Sequence, residues 1–210
     1  MKKTFPIIVA VVLSSVSTLS AAEGFYVFGS VGQSDIDTGV GSVPDINIDE
    51  TDTMFNIGVG YQGNDYFSVE AGYADLGKAS ATTTSPITES VLGSTVTVDG
   101  TISADVTGLF IGVKGEGNVT EQISLFLRAG FLDWESDASF SGTVIIDGET
   151  FTGSDSAEGA DGTDPYVALG AAYAFTEQVS VNFQASRYML DFEGYDVDVD
   201  TLSLGATFKF

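Results

Sequence analysis

From Phe55 onward the chain repeatedly alternates apolar residues with small or polar ones at a strict period of two. That period sets one group of side chains on each face of a strand and does not fit a helical stripe. Phe55, Ile57, Val59 and Tyr61 alternate with Asn56, Gly58, Gly60 and Gln62. After Gly63-Asn64-Asp65 the pattern restarts, with Phe67, Val69, Ala71 and Tyr73 against Ser68, Glu70, Gly72 and Ala74. It recurs over 108–114, 123–131, 167–175, 179–186 and 202–210, and the segment from Phe25 to Gln33 brings the number of expected strands to eight. A soluble β-sandwich also alternates, but it buries its bulky face and shows Lys, Glu and Thr to water. Here the second face is mostly Gly, Ser, Ala and Asn, which suits the crowded interior of a narrow closed barrel whose bulky face meets lipid. The expectation is an all-β fold, an eight-stranded antiparallel up-and-down transmembrane β-barrel.

Connection lengths support closure, because they alternate. Gln62 to Asp65, Gly115 to Gln122 and Thr176 to Gln178 are short, whereas Ser34 to Thr53, Gly77 to Asp105 and Glu135 to Asp164 are long. Short turns belong to the periplasmic side of such a barrel and long ones to the exterior. The near-repeat of Val119-Thr120-Glu121-Gln122-Ile123 in Phe175-Thr176-Glu177-Gln178-Val179 reads as two equivalent periplasmic turns. Two long connections contain Asp-Gly steps among β-formers, Asp99-Gly100 and Asp147-Gly148, a strong signal for a tight hairpin turn. They are expected to be strand extensions or small hairpins above the membrane, with a ten-stranded barrel as the alternative count. Acidic residues crowd the first and third long connections, including Asp35, Asp37, Asp45, Asp49, Glu50 and Asp52, then Asp147, Glu149, Asp155, Glu158, Asp161 and Asp164.

The N-terminus has the charged, apolar and small-residue order of a secretory signal: Lys2-Lys3, a run from Phe5 to Leu13, then Ser20-Ala21-Ala22. Residues 1–22 are expected to be a cleaved signal peptide and 23–210 the barrel domain; the apolar run is short for an uncleaved helical anchor. Of 210 residues 7 are basic and 30 acidic, a net charge of -23, and two of the basic residues lie in the signal. Such acidity repels phosphates and excludes nucleic acid as a partner. It does not mark disorder, since mean hydropathy is +0.21 and 11% of residues are aromatic. The chain has no Cys, so no disulfide supports it, and no His, which removes the usual general base and the commonest transition-metal ligand. No catalytic residues, cofactor or specific metal site are expected.

Gly24-Phe25-Tyr26-Val27, Val69-Glu70-Ala71-Gly72-Tyr73, Thr163-Asp164-Pro165-Tyr166-Val167 and the ending from Leu202 to Phe210 resemble the small outer-membrane β-barrel family around the OmpA transmembrane domain and OmpX. The resemblance covers essentially the whole chain after the signal. It implies an integral outer-membrane location in a Gram-negative envelope, with lipid and lipopolysaccharide as surroundings. Phe208 and the final Phe210 are similar to the signal read by the barrel-assembly machinery, although an apolar last strand alone gives the same letters. The chain stops at Phe210, so the wall-anchoring domain of full-length OmpA is not expected. Parity points Glu70, Lys114 and Arg128 into the lumen beside Asn56 and Gln184. Glu70 and Arg128, at similar heights, are candidates for a lumen ion pair, read either as an internal staple or as a gate for small ions, the role such pairs are given in the family. The acidic connections are expected to attract divalent cations without a built site. Two functions follow: a structural, surface-interacting outer-membrane protein, or a narrow porin-like channel for small solutes or ions.

Overall fold

The structure, a computed structural model, describes residues 24–37, 45–83, 87–91, 94–147, 149–192 and 194–210; the expected signal peptide lies outside them. Among the described residues all regular elements are strands: β1 (Phe25–Asp37), β2 (Ile46–Asp49), β3 (Thr51–Gln62), β4 (Phe67–Thr83), β5 (Ile87–Val91), β6 (Ser94–Asn118), β7 (Ile123–Ile146), β8 (Glu149–Ala174), β9 (Val179–Phe192) and β10 (Tyr195–Lys209). Eight of them, β1, β3, β4, β6, β7, β8, β9 and β10, pair antiparallel in a ring that β1 closes on β10, with Val27 opposite Phe208 and Val31 opposite Leu204. β2 and β5 do not join the ring. They flank it, β2 on the upper end of β4 and β5 on the upper end of β6.

The bulky set of each strand faces outward and the small or polar set faces in. Ile57, Val59, Leu109, Ile111, Leu169 and Leu204 are all exposed on the outer wall. At the short-turn end the band is rimmed by paired rings, Phe25 with Tyr61 at 4.9 Å, Tyr173 with Phe175 at 5.0 Å and Phe208 with Phe210 at 5.4 Å. Aromatic girdles at the water boundary are what a lipid-spanning barrel carries. The two near-repeated turns are built alike. Thr120 Oγ1 accepts from the backbone N–H groups of Gln122 and Ile123, and Thr176 Oγ1 from those of Gln178 and Val179.

The interior holds more bulk than its small residues suggest. Tyr26, Phe28, Phe110, Tyr166 and Tyr188 form a chain of ring contacts across the lumen, with centroids 5.5 to 6.2 Å apart. The glycines opposite make room: a Cβ on Gly60 would overlap the Tyr26 ring, one on Gly72 the Phe110 ring, and one on Gly170 the Phe126 ring. Above the rings lies an aliphatic layer in which Leu76, Leu132 and Val199 have no exposed surface and Leu190, Ile36 and Val106 have almost none.

At the open end the strands run far past the membrane. β6, β7 and β8 are 25, 24 and 26 residues long, over twice the ~9–11 residues that cross a bilayer. Their upper halves, with parts of β2, β4 and β5, form a sheet that stands above the barrel. At the expected Asp147-Gly148 turn, Asp147 has φ 48 and Glu149 pairs back on Ile146, while Gly148 lies outside the described residues. Asp99-Gly100 is not a turn: β6 runs straight through it, Gly100 opposite Gly142. Likewise Asp35, Asp37 and the acidic residues from Glu149 to Asp164 stand on strands, not in loops. Gly77 (φ 80) forms the bulge in β4 where the wall leaves the membrane band. On the far side β8 parts from β9 above Tyr166, at Pro165, which has no N–H to donate. Asp164 holds the fork by accepting from Trp134 Nε1 (2.8 Å) and the Asp191 N–H (3.0 Å).

This packing makes glycine positions unequal. Gly170→Val, which meets Phe126 and the Phe183 carbonyl, is expected to lower stability by ~1–3 kcal/mol. Gly117→Val, with nothing within 4 Å, is expected to stay within ~0.5 kcal/mol of the parent, both measured by urea unfolding of the refolded protein.

Candidate functional site: the charged lumen

Two ion pairs, Glu70 with Arg128 and Lys114 with Glu116, sit inside the barrel. Lys114 and Arg128 are direct cross-strand neighbours on β6 and β7, so two cations lie side by side in a confined space. Each is matched by its own carboxylate. Arg128 Nε lies 2.8 Å from Glu70 Oε2, and Arg128 Nη2 donates to Glu70 Oε1 at 3.3 Å. Glu70 Oε1 also accepts from the Tyr26 hydroxyl at 2.6 Å, and Arg128 Nη1 donates to Gln184 Oε1, whose amide donates to Ser186 Oγ. The guanidinium is stacked between Phe28 and Phe126, 5.0 and 4.7 Å from their ring centres. Burying an ion costs several kcal/mol, which pairing offsets only when the remaining donors and acceptors are also filled. Here most of them are.

Lys114 does not join this pair. Its Nζ donates to Glu116 Oε2 at 2.7 Å, Ser124 Oγ donates to Glu116 Oε1, and the ammonium lies 5.0 Å from the Phe126 ring centre. Lys114 and Glu116 line a cavity of about 100 Å³ at the periplasmic mouth, together with Gln62, Ser68, Ser124 and Lys209. Glu116 and Tyr26 are the members that sequence reasoning missed. Glu116 shares the inward parity of Lys114, but ending the strand at Lys114 left Glu116 in a turn, and no inward set was assigned to the strand that carries Tyr26. Phe208 and Phe210 lie on and beside the closing strand, at the aromatic rim.

A second charged zone circles the outer wall just above the apolar band. Arg187 Nε donates to Asp200 Oδ1 at 2.7 Å and Nη1 lies 3.4 Å from Asp198 Oδ2. The hydrogen bond from Arg187 holds the Asp200 carboxyl below its ordinary range. On the opposite side Asp105 faces Asp137 across the β6–β7 ladder; partial burial, then the Asp137 charge, pushes its carboxyl above the ordinary range. Among the described residues no group of three or more His, Cys, Asp or Glu side chains is placed to hold a metal ion.

A closed ring of eight strands, bulky side chains outward and charges paired within, defines an integral β-barrel of the outer membrane. The chain belongs to the outer membrane protein beta-barrel domain family, whose model matches residues 7–210. It is similar to Outer membrane protein A of Yersinia pseudotuberculosis, 31% identical over 223 residues covering 100% of this chain and 56% of that protein; the chain therefore spans about half the length of the relative it matches. Among solved structures, Neisserial surface protein A aligns over 90% of this chain and 98% of its own with TM-score 0.54 at 14% identity. Ail, the attachment invasion locus protein of Yersinia pestis, aligns over 90% and 99% with TM-score 0.51 at 21% identity. At these identities the structures share the fold. The family places the chain in the lipid and lipopolysaccharide environment of the outer membrane.

Removing one partner of the inner pair strands the other. Glu70→Ala is expected to cost ~3–5 kcal/mol in urea unfolding, while Glu70→Met with Arg128→Met together cost far less. The collar responds to pH in two directions. Asp200, lowered in the fold, contributes stability above its unfolded value near ~4 that is lost as pH falls through the lowered one, so an Arg187→Ala deficit at pH 7 should shrink as pH falls below ~4. Asp105, raised, does the reverse, and Asp105→Asn should gain stability at pH 7, by under ~1 kcal/mol because solvent and salt screen it.

Proposed function

We propose that this protein is a sealed membrane anchor that presents a rigid acidic sheet to the outside, a structural and surface-interaction role. One observation carries the reading: above the Glu70–Arg128 pair the lumen is filled by the ring chain and then by Leu76, Leu132, Leu190 and Val199, all buried. A barrel devoted to conduction keeps a polar path, whereas this interior packs like the core of a soluble domain. The length of β6, β7 and β8 supports the other half of the reading, because folding such strands beyond the bilayer is useful only outside it.

Several parts follow from this reading. Residues 1–22 act as the export signal, and Phe208 with Phe210 mark the last strand for the barrel-assembly machinery. The acidic collar, including Asp75, Asp105, Asp133 and Asp200, meets the lipopolysaccharide layer through divalent cations held loosely by carboxylates. The protein is not an enzyme: it lacks His and Cys, and both lumen carboxylates already neutralise a cation. The second reading, a narrow ion channel gated at Glu70, Lys114 and Arg128, draws on the periplasmic cavity that reaches Lys114.

Planar-bilayer recording separates the two. The sealed anchor predicts no discrete conductance steps from the parent or from Glu70→Ala. Steps in the parent that Glu70→Ala alters would replace it with the gated channel.

A further inference from the structure

The bulky outward stripe of β6 stops short of the periplasmic rim. Leu109, Ile111 and Val113 carry large side chains into lipid, and the next two outward positions are Gly115 and Gly117. Their neighbours are full-sized: Phe67 on β4 and Leu127 on β7 lie directly opposite Gly115, and Leu125 lies opposite Gly117. The missing side chains leave a groove of about 410 Å³ in the outer wall, flanked by Tyr66 and Phe67 on one side and by Leu125, Leu127 and Leu169 on the other. It is apolar and falls within the ~300–1,000 Å³ of small-molecule sites.

Crowding does not account for these two glycines. A Cβ on Gly60, Gly72 or Gly170 would overlap a ring inside the barrel, but one on Gly115 comes no closer than 3.7 Å to the Phe67 ring, and one on Gly117 meets nothing within 4 Å. Neither has the left-handed φ that calls for glycine. Glycine inside a strand costs backbone order and side-chain packing, and without a local need it marks a place that something else approaches closely. The groove is also held in shape. Asn64 Oδ1 accepts from the backbone N–H groups of Tyr66 (2.9 Å) and Phe67 (3.0 Å), and the Tyr66 carbonyl accepts from the Glu116 N–H at 2.9 Å, which ties the flanking turn to the floor strand.

Position sets what fills the groove. It opens onto lipid at the short-turn end, in the leaflet facing the periplasm, where glycerophospholipids supply unbranched chains that can lie in the space two side chains leave. Charge selects the headgroup. The cations of the described residues all lie elsewhere: Lys78 and Arg187 at the exterior end, Lys114 and Arg128 inside the lumen, and Lys209 bonded to Gln62 at the lumen mouth. Asp65, exposed and next to Tyr66, is the charge on the turn beside the groove. It repels an anionic headgroup and attracts one that bears an ammonium. A second copy of the chain, the same way up in the membrane, would set its own Asp65 at the same level on a molecule of net charge -23.

We infer that this groove binds one aminophospholipid of the periplasmic leaflet, with an acyl chain along Gly115 and Gly117 and the headgroup ammonium at Asp65. In the groove the chain touches a floor and two walls, where a lipid on the plain barrel surface touches one, and dispersion contacts grow accordingly. The site is on the outside of the anchor and does not depend on whether the lumen conducts.

Native mass spectrometry of the full chain refolded in detergent tests this, with phosphatidylethanolamine or phosphatidylglycerol of matched acyl chains added. The parent should take up one phosphatidylethanolamine saturably and phosphatidylglycerol about fivefold more weakly. Asp65→Asn should bring the two lipids level. Gly115→Leu with Gly117→Leu should remove the saturable adduct of both, in protein whose gel migration still changes on heating. If that double variant does not fold, Gly117→Leu, where nothing stands in the way, should alone weaken the adduct about threefold. In the parent, magnetisation from the lipid chains should reach the amides of Gly115 and Gly117. Equal binding of the two headgroups by the parent would overturn the inference, as would an adduct that filling the groove leaves unchanged, or no saturable adduct on folded parent. A dimer that filling the groove dissolves would give it to a second copy instead. None of these outcomes bears on the sealed lumen, which the conductance recording tests.

Discussion

In hydrocarbon no water can satisfy a backbone N–H or C=O, so a chain that crosses it in strands must leave no strand edge open to lipid. That constraint is met by the β1–β10 ladder, in which twelve register pairs from Tyr26 with Lys209 to Asp37 with Asp198 join the first strand to the last. Closing a ring with eight strands then fixes a lumen only wide enough for side chains. Everything inside is a consequence of filling that space. The aromatic chain from Tyr26 to Tyr188 is opposed by glycines because two bulky residues will not fit across it.

The same narrowness explains the charge pairing. Glu70, Arg128, Lys114 and Glu116 sum to zero, and each cation touches one carboxylate and at least one ring face. The lumen thus changes character along its axis, from a polar-lined periplasmic mouth at Lys114 and Glu116, through the ion pair, to the packed aliphatic layer at Leu132 and Leu190. Outside, the order is reversed in sign: an apolar band in lipid and acidic side chains above it. β8 parts from β9 where pairing stops being obligatory, because above Pro165 water can satisfy what the lipid could not.

The barrel was legible in the sequence because a half-lipid, half-lumen strand repeats one pattern, and all eight such segments are strands of the ring. Inward parity brought Glu70 and Arg128 to the same place on the page and in space. Lys114 was harder: its partner is two residues along its own strand, and nothing in the letters Lys114-Gly115-Glu116 says that the strand continues to Asn118. Above the membrane the sequence points to strand extensions or small hairpins only around the two Asp-Gly steps and to long connections elsewhere, since Ser, Thr, Gly and Asp are turn residues as well as residues of a water-facing strand. The two Asp-Gly steps show the limit of local signals. β7 and β8 pair with each other on either side of the first, from Ile146 with Glu149 onward, whereas Asp99-Gly100 is held extended by its ladder with β7 and by the Thr83 hydroxyl of β4.

The central claim is that the outer wall meets lipid while the lumen above the ion pair is dry. Solid-state NMR of the refolded protein in bilayers reads both at once, by magnetisation transfer from lipid chains and from water. The account predicts transfer from lipid to Ile111 and Leu169, and none from water to Leu132 and Leu190. Rapid transfer from water to Leu132 and Leu190 would contradict it, because it would place a hydrated path where the structure places a packed core.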